Sequence, residues 1–110
     1  METPNNAVHG EYKIPGGKLV VVDLVIADGR MTGVQVSGDF FLEPASALDA
    51  INAALEGGPV DASEAVLTAT ITAALGADTQ TYGITPEGVA VAVRRALDSA
   101  AADGDAGGAA

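Results

Sequence analysis

The chain has 110 residues and a formal net charge of −10 at pH 7, from fifteen acidic and five basic side chains. This is the length of one domain, and it is too short for a core plus a deep enclosed active site. The acidic charge disfavours binding to nucleic acid or to an anionic membrane surface, and the absence of cysteine excludes a disulfide framework and a zinc-thiolate site.

The two ends of the chain have the composition of unstructured segments. The polar segment 1–8 predicts a disordered leader, and its lack of a basic and an apolar region excludes a secretory signal. The segment 99–110, made of Ala, Gly and Asp, predicts a disordered tail. No apolar run is long enough to span a bilayer. We therefore expect one domain over residues 9–98 of a cytoplasmic protein.

Residues 11–37 have the pattern of β-strands. A short predicted strand over 11–14 ends at Pro15-Gly16-Gly17, and residues 18–27 are rich in β-branched side chains, which favours a strand over a helix. Asp28-Gly29 suits the type I′ turn of a hairpin, so a return strand is expected over 30–37. The expected core face of the hairpin consists of Val20, Val22, Leu24, Ile26, Val34 and Val36.

The second half of the chain predicts three helices. The first has Pro44 in its opening turn and ends at Gly57-Gly58. The second opens with the capping box Asp61-x-x-Glu64 and ends at Gly76, and the third opens with Thr85-Pro86. Strands followed by helices predict an α+β domain, in which a small antiparallel sheet has about three helices packed on one face.

Two polar residues of the strand region are candidates for a functional role. His9 is the single histidine, but the spacing supplies neither the nucleophile and acid of a triad nor further metal ligands, so we expect it to face solvent. Asp23 is the one charge within an apolar strand. It is expected to face outwards from a half-exposed sheet, with a subunit contact as the alternative.

The segment Pro15-Gly16-Gly17-Lys18 lies between Lys13 and the long strand, so that two of the five basic residues of this acidic chain flank or belong to one short turn. It is not a phosphate-binding P-loop, because the spacing differs and a strand follows it. We interpret it as a tight turn, with a second interpretation of Lys18 as the modified lysine of a biotinyl or lipoyl carrier. Carrier domains are all-β, and the helical second half of the chain counts against that interpretation.

Consecutive aromatic residues occur at Phe40 and Phe41, within Gly38-Asp39-Phe40-Phe41. Neighbouring side chains of a strand point to opposite faces, so only one of the two can enter the core of a one-sided sheet. The other must be exposed, covered by a helix or buried against a partner, and aromatic residues are enriched at interface hot spots.

Three segments together resemble a known family: HGEYKIPGGKLV at 9–20, SGDFFLEP at 37–44 and GITPE at 83–87. In this order they resemble the accessory domain of lipoate-protein ligases, over most of residues 9–98. Some ligases of that family carry the domain fused at the C-terminus, and others have it as a separate small subunit.

The resemblance implies a function as one chain of a heterodimer. The large subunit of such a ligase binds lipoate and ATP with Mg²⁺, forms lipoyl-adenylate with release of pyrophosphate, and transfers the lipoyl group to a lysine of an acceptor protein with release of AMP. The accessory chain supports adenylation, has no catalytic residue and binds no cofactor alone. The resemblance places the partner-binding surface at Lys13, Gly16, Gly17, Lys18, Gly38, Asp39, Phe40 and Phe41.

Two functions of other classes stay open beside this one. The first is a small α+β interaction domain that self-associates through a sheet edge, and the second is a carrier modified on Lys18. A stand-alone enzyme is disfavoured, because no nucleophile–base pair, metal cluster or phosphate loop can be assembled from these residues.

Overall fold

The computed structural model of the protein describes residues 7–109, and for residues 100–109 it describes the backbone alone. The described residues form five strands and three helices. In chain order the elements are β1 (Ala7–Lys13), β2 (Leu19–Ala27), β3 (Arg30–Gly38), β4 (Phe41–Glu43), α1 (Ser46–Leu55), α2 (Glu64–Ala74), β5 (Gln80–Tyr82) and α3 (Pro86–Ala109). No helix among these residues has the length and hydropathy needed to cross a bilayer.

The main sheet is antiparallel, with the strand order β1-β2-β3. Asp28 and Gly29, which join β2 to β3, have φ angles of 55° and 74°. Positive φ at both central residues is the requirement of a type I′ turn, whose twist matches that of the flanking strands. The predicted hairpin is therefore confirmed. The register shifts between Asp23 and Val25 of β2, where β3 has one extra residue between Thr32 and Gln35.

The core lies between this sheet and the three helices. α3 packs against β1 and β2, α1 packs against β3, and α2 contacts both of the other helices. The largest fully buried side chains are Met31, Ile51, Leu55, Leu67, Ile71, Val20, Val22, Val89 and Val93. The α+β class is confirmed, and most of the predicted core positions are buried. Ile26 is only partly buried, and Met31 belongs to the core although the pattern did not predict it.

The outer edge of β3 is covered by side chains from the end of α1. The Glu56 carboxylate accepts hydrogen bonds from the N–H groups of Gly33 and Val34, at 3.0 and 3.1 Å. The amide oxygen of Asn52 accepts one from Val36 N–H, at 3.0 Å. An unpaired strand edge is a template for pairing with another chain, so these bonds make β3 a poor edge for self-association.

Several predicted element bounds differ from the structure. β1 begins at Ala7 and buries Val8, which shortens the expected leader; residues 1–6 of that leader lie outside the described residues. α3 has a helical backbone through Ala109, in the segment expected as a tail. α1 begins only at Ser46, so Pro44 precedes the helix and does not lie in its first turn.

The predicted capping box at the start of α2 is wrong. The N-cap is Ser63, whose Oγ accepts a hydrogen bond from Val66 N–H at 3.2 Å. A Ser at this position satisfies one of the N–H groups that a helix leaves unpaired at its start. Since Glu64 is then the first helical residue, the spacing from Asp61 does not describe a cap. Thr85, by contrast, caps α3 as expected, with its Oγ1 accepting from Gly88 N–H.

Candidate partner-binding face

The turn between β1 and β2 is held by its own lysine. Lys13 Nζ donates hydrogen bonds to the carbonyl oxygens of Gly17, at 2.8 Å, and Ile14, at 3.2 Å. Gly17 N–H donates to Ile14 O at 2.8 Å, and Gly16 has a φ of 74° that favours glycine. The ammonium group of Lys13 is therefore engaged within its own turn. This supports the interpretation of residues 15–18 as a tight turn.

This turn is joined to the segment that follows β5. Lys18 N–H donates to Gly83 O at 2.9 Å. A Cβ atom built on Gly83 would lie 2.4 Å from Lys18 Cγ, so the aliphatic part of Lys18 lies directly over the Gly83 backbone. Gly83 has a φ of +85° as well. Glycine at position 83 thus lets the two segments approach closely and fixes where the Lys18 side chain leaves the turn.

Gly38 brings the end of β3 against the start of β2. Its φ is +152°, and an added Cβ would lie 2.2 Å from Leu19 O and 2.8 Å from the Phe40 ring. No other residue type has room there. Phe40 then enters the core, with 8% of its surface exposed, and packs near Gly83.

Phe41 points away from the core, as the alternation of a strand requires for one of two consecutive aromatics. Its side chain is 58% exposed. β4 pairs with β5 so that Phe41 lies opposite Tyr82, and the two rings stack with centroids 4.7 Å apart and planes inclined by 21°. Tyr82 is itself 41% exposed, and its hydroxyl donates to Gln80 Oε1. The result is a stacked aromatic pair presented to solvent.

The structure thus brings the predicted turn and the predicted Gly38–Phe41 segment together at one end of the domain. Their contacts run from Lys18 to Gly83 and from Leu19 to Gly38. Sequence reasoning missed two exposed residues of this region, Leu19 and Tyr82. The sequence could have pointed to Tyr82, because it is one of four aromatic residues in the chain and lies close before the GITPE segment. We call the surface formed by Lys18, Leu19, Phe41 and Tyr82 the aromatic face.

Comparisons with known proteins bear on this architecture. No protein-family model matches the chain, and no curated protein matches it in sequence. Among solved structures it matches a chain from the structural analysis of an archaeal lipoylation system, a bipartite lipoate protein ligase and its E2 lipoyl domain from Thermoplasma acidophilum. The two chains share a fold. The TM-score is 0.58 at 22% sequence identity, and the match covers 80% of this chain and 92% of that chain.

The matched chain comes from the study of a lipoylation system, and the motifs of this chain resemble the accessory domain of lipoate-protein ligases. Because almost the whole of the matched chain is covered, the similarity extends over a complete domain and not over a single hairpin. The residues of the predicted partner-binding surface are not tested by a similarity of fold. They stay a prediction, to which the geometry adds Leu19 and Tyr82.

His9 lies elsewhere, on the solvent side of β1 opposite Asp23. Its Nε2 is 2.7 Å from Glu11 Oε2 and its Nδ1 is 2.6 Å from Asp23 Oδ1. The two carboxylates meet opposite ring nitrogens and so do not converge on one point where a metal ion could sit. Within residues 7–99 no group of three metal-ligating side chains occurs. Asp23 faces outwards, as expected.

The carboxylates of Glu11 and, second, of Asp23 raise the pKa of His9 above its ordinary value of 6.5. A raised folded-state pKa adds stability below about pH 6.5, and this stability is lost as the pH rises through the folded pKa. We therefore expect His9→Asn to lower the free energy of unfolding at pH 6 and to have less effect at pH 9. The three side chains are half-exposed, so the difference is small and 0.5 M salt reduces it. Urea unfolding at both pH values measures it, and an equal loss at pH 6 and pH 9 would contradict the assignment.

Proposed function

We propose that this chain is the non-catalytic accessory subunit of a two-chain, cytoplasmic lipoate-protein ligase, and that it supports lipoyl-adenylate formation by the large subunit. The observation that carries the proposal is the shared fold with a chain from a bipartite lipoate protein ligase system, over 92% of that chain. The ordered motifs at 9–20, 37–44 and 83–87 support it independently, because the structure brings parts of all three together around Lys18 and Gly83.

The fold favours a ligase component over the lipoyl domain of the same system. Carrier domains are all-β, whereas this chain has three helices that supply about half of its buried side chains. Lys18 does lie in the β1–β2 hairpin turn, as the lysine of a carrier lies at a hairpin tip, so its position does not separate the two functions. The three helices are the feature that supports the accessory subunit.

A small domain can assist adenylation without a reactive group of its own. Lipoyl-adenylate is a mixed anhydride, and it must be kept from water while it waits for the acceptor lysine. A domain that docks beside the active-site loops of the large subunit excludes water and holds those loops closed. Lipoate, ATP and Mg²⁺ then bind to the large subunit, and this chain contributes position and shielding.

Reconstitution tests this function. The large ligase subunit of the same organism is incubated with lipoate, ATP and Mg²⁺, with and without an equimolar amount of this chain, and pyrophosphate release is followed. We expect the chain to raise the rate of adenylation at least about tenfold, which corresponds to ~1.4 kcal/mol of the barrier. The large subunit with serum albumin in place of this chain is the control. Equal rates with and without the chain would refute an accessory role.

The carrier function has one observation in its favour, which is that the ammonium group of Lys18 is exposed and has no hydrogen-bond partner among the described residues. It predicts a chain whose intact mass is raised by one lipoyl or biotinyl group, with the modification lost in Lys18→Arg. An unmodified mass after expression together with an active ligase excludes the carrier function.

The third function, a self-associating α+β domain, predicts a dimer in analytical ultracentrifugation.

A further inference from the structure

Within the part of the chain that the structure describes, one basic side chain lacks an internal partner. Four of the five basic side chains have internal partners: Lys13 at Gly17 O, Arg30 at Gly57 O, Arg94 at Asp98, and Arg95 at Glu11 O and the Tyr12 ring. Among the described residues Lys18 has no ion pair or side-chain hydrogen bond. The Cβ and Cγ atoms of its side chain lie on Gly83, so the ammonium group is presented from this side of the turn.

Exposed apolar surface is concentrated at the same place. Of the four large hydrophobic side chains that the described surface exposes, Leu19, Phe41 and Tyr82 belong to the aromatic face, and only Val66 lies elsewhere, on α2. The two rings are already stacked on each other in the free chain. A rigid aromatic pair loses little conformational entropy on binding, and such residues dominate interface energetics.

We infer that the aromatic face is the docking surface for the large ligase subunit, and that it inserts the Phe41–Tyr82 pair into an apolar pocket with a basic rim and one carboxylate opposite Lys18. This inference rests on the proposed function. The basic rim is the complement of the chain's charge of −10 and of the exposed carboxylates of Asp39 and Glu43, which lie on either side of Phe41 in sequence.

Charge also argues against a second copy of the chain as the occupant. Two molecules of charge −10 repel each other, and the edge of β3 that could pair with a second copy is already covered by Glu56 and Asn52. A basic partner would not be repelled by the charge of this chain, and it would not need the edge of β3 for binding. Electrostatic attraction would speed its encounter with this chain, and the aromatic pair would set the lifetime of the complex.

The first test measures the Kd between this chain and the large subunit by isothermal titration calorimetry. Phe41→Ala is expected to raise Kd about 30-fold, the loss typical of an aromatic hot spot. Val66→Ala is the matched control, since it removes an equally exposed apolar side chain elsewhere and should change Kd less than about twofold. Phe41 lies outside the core, so circular dichroism should show both variants folded.

The second test separates local from overall charge. Lys18→Glu and Arg30→Glu change the net charge equally, but Arg30 lies at the β2–β3 turn, away from the aromatic face. Lys18→Glu is expected to raise Kd at least about tenfold by facing the partner carboxylate with a like charge, and Arg30→Glu to leave Kd within about twofold.

The outcomes distinguish the inference from the function on which it rests. If the wild-type chain neither binds the large subunit nor affects adenylation, the proposed function fails. If the wild-type chain binds and Phe41→Ala and Lys18→Glu bind equally well, the function stands and the docking surface is refuted. Concentration-dependent dimerisation of the free chain that Phe41→Ala abolishes would also overturn it, in favour of a second copy.

Discussion

Replacement of Gly10 by alanine is expected to lower the free energy of unfolding by about 3 kcal/mol or more. The reason is the close approach of β1 to α3: a Cβ atom at Gly10 would lie 2.3 Å from Ala96 N and 2.5 Å from Ala92 O. Both are backbone atoms of a helix, so no side-chain rotation relieves the overlap. Extra atoms in a packed interior typically cost about 1–3 kcal/mol, and contact with fixed backbone puts Gly10→Ala at or above the upper end.

Urea unfolding followed by circular dichroism measures this loss, and the chain provides a matched control. Gly76 follows α2, and a Cβ there would meet nothing closer than Thr79 Oγ1 at 3.6 Å. Gly76→Ala should therefore change the free energy of unfolding by no more than about 0.5 kcal/mol. A Gly10→Ala variant as stable as Gly76→Ala would mean that β1 and α3 are farther apart than the structure has them.

The parts of the fold that were predicted correctly depend on local chemistry. Alternating β-branched residues define β2 and β3, and Asp28-Gly29 fixes their turn because both residues adopt positive φ. Thr85-Pro86 marks the start of α3 for an equally local reason, a cap and a ring that suits the first helical position. These signals lie within a few residues of the structure that they determine.

The parts that were missed depend on partners distant in the chain. β4 and β5 have three residues each, too few for a periodic pattern, and exist because they pair with each other. Glu56 and Asn52 look like ordinary helix-surface residues until β3 lies beside them. The helical backbone of α3 through Ala109 was not expected either, and its reason is local, because Ala has the highest helix propensity.

The same distinction applies to the candidate site. The exposure of one of the two phenylalanines followed from the alternation of a strand, and Phe41 is the exposed one. The hydrogen bond from Lys18 to Gly83 and the stacking of Phe41 on Tyr82 join segments that are far apart in sequence. No spacing in one sequence specifies such contacts, so Leu19 and Tyr82 joined Lys18 and Phe41 only in the three-dimensional structure.

Gly38→Ala is expected to lower the free energy of unfolding by about 3 kcal/mol or more, for two reasons that add. At a φ of +152° an L-residue is strained, which costs about 1–3 kcal/mol. The new Cβ would also lie 2.2 Å from Leu19 O, which forces β2 and β3 apart where they lead into the aromatic face. Ser37→Ala, at the exposed neighbouring position, is the control and should be nearly neutral.

Comparison of Gly38→Ala with Phe41→Ala separates a structural role from a binding role within one motif. We expect Gly38→Ala to lose stability in urea unfolding and Phe41→Ala to keep it, while Phe41→Ala loses affinity for the large subunit. Affinity is measured at 10 °C and corrected for the folded fraction, so that unfolding is not read as weak binding. If the Gly38→Ala variant is as stable as the wild type but fails to bind, the close approach to Leu19 does not account for glycine at position 38. In that case Gly38 contacts the partner itself.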